Sequence, residues 1–296
     1  ALARRRLAAS PHSDPVVGAA MSDDDLPLVH FPGLAAFPGL VHAVSTRRGG
    51  VSDGPFASLN LGWTVGDERE NVEANYRRLA ASLGLPREHL TTTWQVHGNI
   101  IVRVGAADRG SMIAKADGII TDQPDLPLTQ RYADCTPVLV YDPQRHAIGL
   151  VHAGWRGAVA GVTSALVQAM AQAFASDPAR LVAGVGPAIG PCCYEVGPEV
   201  VAAVQGALAD SAGLLIWPGD RAGGRPAPAA RSAEAPHNGR PHFDLWQANR
   251  RQLAQAGVQQ IEVAGVCTRC RRDTYFSHRG DGGRTGRFAA VMMLRS

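Results

Sequence analysis

The sequence of 296 residues is poor in charged side chains and contains a single lysine, Lys115. Charged residues make up 19% of the chain, and 29 basic against 26 acidic residues leave a net charge of only +3. Proteins that bind nucleic acids through the phosphate backbone carry a much larger basic excess. The sequence also lacks a run of about 18 apolar residues, the length that a membrane-spanning helix needs. We therefore expect neither a nucleic acid nor a membrane as a partner, and nothing in the sequence identifies a protein partner.

Cysteine is scarce as well, because the chain has only five. Their odd number and irregular spacing exclude a disulfide framework as the basis of the fold, and free thiols are typical of the reducing cytoplasm. The first 20 residues include three consecutive arginines but no apolar segment like that of a signal peptide. These features predict a cytoplasmic protein.

Four of the cysteines form two local pairs. Cys267 and Cys270 make a C-x-x-C pair, but it has no second pair of that spacing and no thioredoxin-like strand–helix–strand pattern beside it. We therefore predict neither a redox nor a metal function for it. Cys192 and Cys193 are adjacent and cannot chelate one ion in the manner of a C-x-x-C pair, so we expect both to be buried.

Two segments have too few apolar anchors to fold by themselves. Residues 1–20 are expected to be a disordered N-terminal extension. The segment at about 218–241, rich in Gly, Pro, Ala and Arg, is expected to be a flexible surface loop, since it cannot bury enough apolar area to become ordered. The tail that follows is short for an independent domain, so residues 21–296 are predicted to form a single domain.

Capping signals place two of the predicted helices. Asp67 and Glu70 have the D-x-x-E spacing of a helix start, apolar residues then recur on one face, and Gly84 ends the pattern. Asp244 is expected to cap a helix after the flexible loop. Strands are predicted between the helices along most of the chain.

The centre of the chain predicts a buried hairpin. Two apolar runs, 135–141 and 147–152, are separated by a segment that begins with Asp142 and Pro143, the preferred first residues of a type I turn. Both faces of the runs are apolar, so the hairpin should lie in the middle of a sheet. Because this hairpin interrupts the alternation of strands and helices, the expected fold class is α+β, a single domain of mixed β-sheets with flanking helices.

The turn also predicts which residues of the hairpin face each other. If the turn is centred between Pro143 and Gln144, then Cys135 lies directly opposite His152. Directly opposed Cβ atoms are about 4.5–5.5 Å apart, which suits two ligands of one zinc ion and equally suits a thiolate–imidazole ion pair. The other pairs expected on this face are Pro137–Leu150, Leu139–Ile148 and Tyr141–His146.

The residues after His152 favour a functional site over a buried cysteine beside a core histidine. Gly154 and Gly157 flank Arg156 in a glycine-rich turn between a strand and a helix. Free backbone N–H groups at such a turn bind anions, so Arg156 is a candidate for substrate binding.

A metal at this site needs a third protein ligand. His97 ends a predicted strand and is followed by Gly98, which lets the backbone turn away. His242 and His278 are rivals for the same role. The spacing of these residues does not decide among the three histidines.

Seven motifs are distributed over the chain: STRRGGVSDGPFASLNLG, TTWQVHGNIIV, RYADCTPVLVYDP, IGLVHAGWRGAVAGV, VGPAIGPCCYEVGPEV, HFDLWQAN and TYFSHRGDGGRTGR. Together they resemble the laccase-domain family, also called the polyphenol oxidase family, whose members are described as zinc-dependent purine nucleoside phosphorylases. The resemblance extends from about His42 to Leu294, and its most specific part is the pair ADC and HAGWRG.

The resemblance implies a zinc ion held by His97 of QVHG, Cys135 of ADC and His152 of HAGWRG. Three protein ligands leave one coordination position open, as in catalytic zinc sites. The implied activity of the catalytic domain, 21–296, is phosphorolysis of adenosine, inosine and methylthioadenosine to the base and ribose 1-phosphate. Hydrolytic deamination of adenosine is implied as well, although the H-x-E…P-C-x-x-C signature of the known zinc deaminases is absent.

Phosphorolysis requires a site for the phosphate anion and stabilisation of a ribosyl cation-like transition state. Arg47 of the TRRGG motif is expected to contact the phosphate or the ribose, and we count it with Cys135 and His152 as catalytic. Asn60 of SLNLG and Gln95 of QVHG are expected to bind the substrate through polar contacts, as is Arg156.

Three alternatives remain open from the sequence. Cys135 with His152 as its base would suit a cysteine hydrolase, for example in cell-wall precursor editing. A thiolate–imidazole site also binds copper, so a copper-dependent polyphenol oxidase is the second alternative. However, no two of the ten histidines are two positions apart, which argues against the H-x-H pairs of a multicopper cluster. The third alternative is a metal-binding or regulatory module without catalysis.

Overall fold

A computed structural model describes residues 26–208, 211–221 and 239–296. The extension expected at 1–20 lies outside these ranges. Of the loop expected at 218–241, the structure describes only Pro218–Arg221, which form a short 3-10 helix, and residues 239–241. In the described ranges, no helix combines the length and the apolar character that crossing a membrane requires.

The described ranges contain 14 strands and six α-helices. The strands are β1 Leu28–Val29, β2 Leu40–Ser45, β3 Thr92–Trp94, β4 Ile101–Arg103, β5 Met112–Lys115, β6 Gly118–Thr121, β7 Leu128–Tyr132, β8 Thr136–Asp142, β9 Ala147–Ala153, β10 Val182–Val185, β11 Leu215–Ile216, β12 His242–Phe243, β13 Gln260–Val263 and β14 Phe288–Leu294. The helices are α1 Pro32–Ala35, α2 Arg69–Ser82, α3 Trp155–Val159, α4 Val162–Phe174, α5 Pro198–Ala207 and α6 Leu245–Gln255.

The strands form two large sheets. One has four antiparallel strands in the order β1-β2-β14-β7. The other has six strands in the order β13-β10-β8-β9-β6-β4, antiparallel in the middle and parallel at both edges. Two small pairs, β11–β12 and β3–β5, complete the described strands. This architecture confirms the predicted α+β class, with mixed sheets and flanking helices in a single domain.

The two large sheets pack against each other, and helices cover their outer faces. Alternate residues of β8 point to different layers: Leu139 and Tyr141 pack between the sheets, whereas Val138 and Val140 pack beneath α4 and α6. Helix α2 covers the outer face of the four-stranded sheet. All residues of β8 and β9 are buried, which confirms that the hairpin is central and explains why both of its faces are apolar.

The register of the hairpin differs from the prediction by a relative shift of two residues. Pro137, not Cys135, lies opposite His152. Because side chains alternate with a period of two, this shift leaves every residue on its predicted face. Cys135 is therefore a diagonal rather than a direct neighbour of His152. The pairs observed on this face are Pro137–His152, Leu139–Leu150 and Tyr141–Ile148.

The reason for the shift is the length of the connection. Asp142 pairs with Ala147, so four residues form the loop. Its last residue, His146, has a left-handed φ of 49°, and the Asp142 carboxylate accepts N–H bonds from Gln144 at 2.9 Å and Arg145 at 3.1 Å. Four-residue loops built in this way are common in hairpins, but a two-residue turn was the simpler interpretation of the sequence.

The predicted helix starts are half right. Asp244 caps α6 and accepts the N–H of Gln247 at 3.0 Å, as expected. Helix α2 begins after Glu68 with no side-chain capping bond, so the D-x-x-E interpretation of Asp67 is wrong. The Asp67 carboxylate accepts bonds from the side chains of Ser52 and Asn60 instead, and these contacts take the place of the cap.

A buried histidine on β2 predicts a loss of stability in mild acid. His42 accepts the N–H of Phe31 on Nε2 at 2.9 Å, and burial followed by the neighbouring His30 lowers its pKa from 6.5 to about 4. The unfolded chain binds this proton at a higher pH, so the free energy of unfolding should decrease by about 3 kcal/mol as the pH falls from 6.5 to about 4. Urea unfolding of wild type and His42→Gln across this range tests it, and the variant should lose this part of the pH dependence. Parallel pH profiles for the two proteins would contradict the assignment.

Candidate active site

Three side chains that can ligate a metal meet where β8 begins and β9 ends. His97 follows β3, Cys135 immediately precedes β8, and His152 is the penultimate residue of β9. Their ligating atoms all lie within 4.8 Å of one another. The paired strands position Cys135 and His152, whereas His97 reaches them from a loop in which its own backbone has a left-handed φ of 62°.

A buried carboxylate, Asp117, supports this arrangement. Its Oδ1 accepts the backbone N–H of His97 and the Nδ1–H of His152, both at 2.9 Å, and its Oδ2 accepts the N–H groups of Gly98 at 2.6 Å and Val96 at 3.1 Å. The backbone bonds hold the left-handed turn at His97. The bond to Nδ1 fixes the tautomer of His152 and leaves its Nε2 directed to the site.

Cys135 and His152 stabilise each other's charged forms. Burial raises the pKa of the Cys135 thiol, but His152 and His97 together outweigh it and bring the pKa down from 9.0 to about 6. Burial lowers the pKa of His152, but Cys135 and Asp117 raise it from 6.5 to about 9. Without a metal the pair is thus a thiolate beside an imidazolium at neutral pH, and the thiolate is also the form that binds a metal.

A second buried carboxylate lies on the other side of Cys135. Asp134 has a left-handed φ of 84°. Its Oδ1 accepts the hydroxyls of Thr268 at 2.6 Å and Ser277 at 2.7 Å, and its Oδ2 accepts the N–H of Arg279 at 2.6 Å. Asp134, which directly precedes the candidate metal ligand Cys135, therefore holds two distant loops beside the site.

Gly154 leaves the space that the ligands occupy. A Cβ at this position would lie 2.8 Å from Cys135 Sγ and 3.1 Å from His97 Cδ2. Its φ of −75° suits any residue, so a substitution acts through crowding alone. Crowding of this kind costs about 1–3 kcal/mol, and Gly154→Ala should lower the zinc affinity by roughly tenfold or more. Gly105→Ala, which meets nothing within 4 Å, is the control in a zinc competition titration. Equal affinities in the two variants would contradict this effect.

The donor set fits a transition metal. One thiolate and two imidazoles suit zinc and also copper, and the ligating histidine is oriented by a carboxylate, as is usual in such sites. Three protein ligands leave a coordination position for a further group. The chemistry of the residues present is therefore that of a catalytic rather than a structural centre.

The three candidate ligands lie in the wall of a cavity of about 520 Å³, a size typical of small-molecule sites. Its wall is both cationic and aromatic. The basic residues that line it, besides the ligands, are Arg131, Arg156, His278, Arg279 and Arg287. The aromatic residues that line it are Trp63, Trp94, Trp155 and Tyr194.

The predicted substrate contacts divide into two groups. Gln95 and Arg156 line the cavity, whereas Arg47 and Asn60 lie behind its wall. Gln95 donates to the carbonyl of Arg131 at 2.8 Å. The buried Asn60 amide oxygen accepts the N–H of Arg287 at 2.9 Å, so Asn60 supports the backbone of a cavity arginine.

Arg47 has an extensive set of structural contacts. Its Nε donates to the carbonyl of Ala57 and its Nη1 to that of Arg272, both at 2.8 Å, and its guanidinium stacks on Phe276. Its Nη1 is also 4.0 Å from Asp281. The role of Arg47 as a ligand of the phosphate or ribose stays a prediction, and these contacts suggest a second role in positioning the 272–281 segment.

Of the rival histidines, His278 lines the cavity and His242 lies in β12. Neither belongs to the group formed by His97, Cys135 and His152. Sequence reasoning missed Asp117, although a carboxylate directly before a fully buried strand, as at Asp117 before β6, is a signal that could have identified it. The ADC motif placed Asp134 beside Cys135, but its bonds to distant loops were not predicted. Sequence reasoning also missed Arg279, which carries no spacing relation to the hairpin.

Comparison with known proteins places the chain among relatives that it matches over most of its length. Residues 41–295 match the family described as multi-copper polyphenol oxidoreductase laccase. The chain is 38% identical to the purine nucleoside phosphorylase YlmD of Geobacillus stearothermophilus, covering 89% of this chain and 93% of that protein. It is 35% identical to the purine nucleoside phosphorylase YfiH of Escherichia coli, covering 86% and 94%.

Solved structures agree with this relationship. The crystal structure of YlmD from Geobacillus stearothermophilus matches with a TM-score of 0.77 and 36% identity, covering 90% of this chain and 94% of that one. The crystal structure of a Bacillus licheniformis hypothetical protein YfiH matches with a TM-score of 0.77 and 32% identity, covering 86% and 93%. The chain therefore belongs to the multi-copper polyphenol oxidoreductase laccase family, as its motifs predicted.

Proposed function

We propose that the protein is a zinc-dependent purine nucleoside phosphorylase that acts on adenosine, inosine and methylthioadenosine. The observation that carries the proposal is the position of His97, Cys135 and His152 in the wall of a cavity that is also cationic and aromatic. In a metal-dependent phosphorylase, the ligands would hold the metal, the cationic side chains would bind phosphate, and the aromatic side chains would stack on the purine. The names of the relatives, purine nucleoside phosphorylase YlmD and YfiH, support the same activity.

A zinc ion held by His97, Cys135 and His152 would supply Lewis acidity at the reacting group of the substrate. The chain's own residues do the rest. Asp117 keeps the Nδ1 proton of His152 in place and so keeps Nε2 available. The aromatic side chains of the wall provide surfaces on which a purine ring can stack, and Trp94, with 47% of its surface exposed, lies at the open side.

The phosphate needs a cationic site inside the cavity, and Arg156 and Arg279 are the best candidates. Arg279 stacks on Tyr194 at 5.3 Å. The pKa of Tyr194 is raised by burial and by Cys135, while Arg279 and Arg156 both act to lower it. Arg156 stacks on Trp155 at 4.3 Å, and both arginines line the same cavity. Such a cluster binds an oxyanion more strongly than an isolated arginine does.

The decisive experiment measures metal and products on the same preparation. Protein purified without added metal should contain zinc, and should convert adenosine and phosphate to adenine and ribose 1-phosphate. Cys135→Ala should remain folded but lose the activity and the zinc equivalent that is bound at this site. Full zinc occupancy in Cys135→Ala would contradict the ligand assignment, and zinc-loaded wild type that releases no adenine in phosphate would contradict the function. A stoichiometric copper content would instead favour the oxidase alternative.

The same assay without phosphate tests a further activity. We propose that the site also deaminates adenosine, in which case inosine should form from adenosine and water when phosphate is omitted. The reaction needs the metal but not the phosphate site. Absence of inosine under these conditions would leave phosphorolysis as the only proposed activity.

Arginine variants separate the two hypotheses on phosphate binding. If Arg279 binds phosphate, Arg279→Ala should lower phosphorolysis by roughly 100- to 1000-fold, as loss of a preorganised donor does, and deamination much less. Arg47→Ala is the matched control. If Arg47 only positions the 272–281 segment, this variant should have a lower melting temperature, and its phosphorolysis and deamination rates should change by the same factor. A phosphate-specific loss in Arg47→Ala and none in Arg279→Ala would reverse the two assignments. Zinc content should not change in either variant.

A cysteine hydrolase is the second candidate function, because Cys135 and His152 also form the ion pair of an activated thiol. A zinc ion bound to Cys135 would strongly reduce the nucleophilicity of its thiolate. Zinc that is present in active wild type and lost in Cys135→Ala would therefore argue against this candidate. Activity that survives a chelator and is lost on alkylation of Cys135 would support it.

A further inference from the structure

The other four cysteines come together on the far side of the cavity wall. Cys192 and Cys193 lie in a turn after Gly190, and Cys267 and Cys270 lie in the turn that follows β13. These two segments are more than 70 residues apart in the sequence, but the four sulfur atoms all lie within 4.8 Å of one another. The sequence has no second pair of C-x-x-C spacing, as stated above, but the fold places the adjacent pair Cys192–Cys193 beside Cys267 and Cys270. Cys192 is exposed and Cys193 half-buried, so their expected burial is wrong.

The distances between the sulfur atoms are close to those between the ligands of one tetrahedral zinc ion. Cys270 Sγ is 3.5 Å from Cys192 Sγ and 3.4 Å from Cys193 Sγ. A zinc ion with four bonds of about 2.3 Å to sulfur separates its ligands by about 3.8 Å. A disulfide needs about 2.05 Å between two sulfur atoms, and all five cysteines are free thiols. The observed separations match the edges of a metal tetrahedron.

An N–H donor and an arginine side chain lie beside the four sulfurs. The N–H of Gly190 donates to Cys267 Sγ at 3.2 Å, and a parallel bridge joins Ala188 to Cys267. Arg269 lies inside the C-x-x-C pair and donates to the carbonyl of Cys193 at 3.4 Å. A zinc ion with four thiolates carries a net charge of −2, and an N–H donor with an adjacent guanidinium is what offsets such a charge.

We infer that Cys192, Cys193, Cys267 and Cys270 form a second metal site, which binds zinc or another divalent ion with the same preference for sulfur. Four protein ligands leave no open position, so this site is structural. Its adjacent pair and its C-x-x-C pair come from the two segments that the ion would join. The inference does not depend on the proposed activity of the first site.

The position of the second site explains what the ion would hold in place. Ile189 and Tyr194, on either side of the adjacent pair, line the cavity. Thr268, inside the C-x-x-C pair, donates to Asp134 beside the ligand Cys135. A metal that joins these two turns would fix one wall of the cavity relative to the first metal site.

Zinc content of the full chain tests the inference. Wild type purified without added metal should contain one zinc equivalent for each site. The double variant Cys192→Ser, Cys270→Ser should lose one equivalent and melt at a lower temperature, and Cys135→Ser, the matched control, should lose the other. Cobalt substitution distinguishes the two sites, because the thiolate-to-cobalt absorption grows with the number of cysteine ligands. The intense absorption of a four-cysteine site should be retained in Cys135→Ser, whereas the double variant should keep only the weak absorption of the single Cys135 thiolate.

A measurement on wild type alone avoids dependence on the folding of a variant. Cys192 and Cys270 are exposed, so without a metal they should be alkylated at once, whereas bound zinc should protect them until a chelator is added. Peptide mapping identifies the modified residues. Immediate alkylation of both, or a disulfide among the four in protein purified under reducing conditions, would overturn the inference. So would an unchanged zinc content in the folded double variant.

Discussion

The zinc affinity of the protein is expected to fall by roughly 10- to 100-fold when Asp117 is replaced by asparagine, the usual effect of losing a carboxylate that orients a histidine ligand. Each carboxylate oxygen of Asp117 accepts two N–H bonds in the native structure. Asparagine has the same shape, but one oxygen becomes an NH₂ group that cannot accept. Two of the four donors therefore face another donor whichever way the amide is oriented. One orientation removes the acceptor of His97 and His152, and the other removes the acceptor of Val96 and Gly98 and so weakens the turn that positions His97.

Asp122→Asn is the matched control for this variant. Asp122 follows β6 just as Asp117 precedes it, but its carboxylate is partly exposed and pairs with Arg103 at 3.0 Å. Surface ion pairs of this kind contribute little to stability, and Asp122 contacts none of the candidate ligands. The zinc affinity of Asp122→Asn should therefore equal that of wild type. Competition titration with a chromophoric chelator measures both variants. If Asp117→Asn and Asp122→Asn bind zinc equally well, Asp117 does not orient the ligands.

The free energy of unfolding is expected to decrease by about 4 kcal/mol when Asp134 is replaced by alanine. The substitution leaves the buried hydroxyls of Thr268 and Ser277 and the part-buried N–H of Arg279 without their acceptor. Each buried unpaired donor costs about 1–3 kcal/mol, and the part-buried one costs less because water can reach it. Alanine is also disfavoured at the left-handed φ of 84° by about 1 kcal/mol. The three donors share one carboxylate, so their effects should not add in full.

Urea unfolding of three variants separates these contributions. Asp134→Gly removes the same carboxylate without the backbone penalty, so it should be more stable than Asp134→Ala. Asp273→Ala removes an exposed carboxylate that pairs with Arg48 on the surface and should cost less than about 1 kcal/mol. Equal stability of Asp134→Ala and Asp273→Ala would show that the buried bonds to Asp134 do not hold the loops.

The parts of the fold that depend on local pattern were predictable from the sequence. Two short apolar runs with a turn between them predicted β8 and β9, and the apolar character of both faces predicted a central position. Cys135 and His152 were placed on the same face because a face depends only on parity, which the register shift of two residues preserved. The register itself was wrong because a left-handed His146 lengthens the loop, a conformation for which the sequence carries no strong signal.

The contacts that come from distant segments were not predictable from spacing. His97 was identified by the resemblance of QVHG to a family motif, not by its distance from the hairpin. The contacts of Asp117, Asp134 and Arg279 depend on sheet pairing and loop packing. The spacing of residues along the sequence does not predict such contacts. The four-cysteine cluster was not predicted for the same reason. Each pair was considered alone, because the sequence does not show that the fold brings the two pairs together.

The three proposed ligands are held in place by different parts of the fold, and this difference affects the rate of metal exchange. Cys135 and His152 are attached to strands that are paired on both sides, so separating them requires breaking the central sheet. His97 is exposed and is held by hydrogen bonds of a short loop to one carboxylate. Local opening of such a loop is far more frequent than global unfolding. Metal exchange should therefore proceed by release of His97 first, at a rate set by the opening of residues 96–98 and visible as faster amide hydrogen exchange there than in β8 and β9.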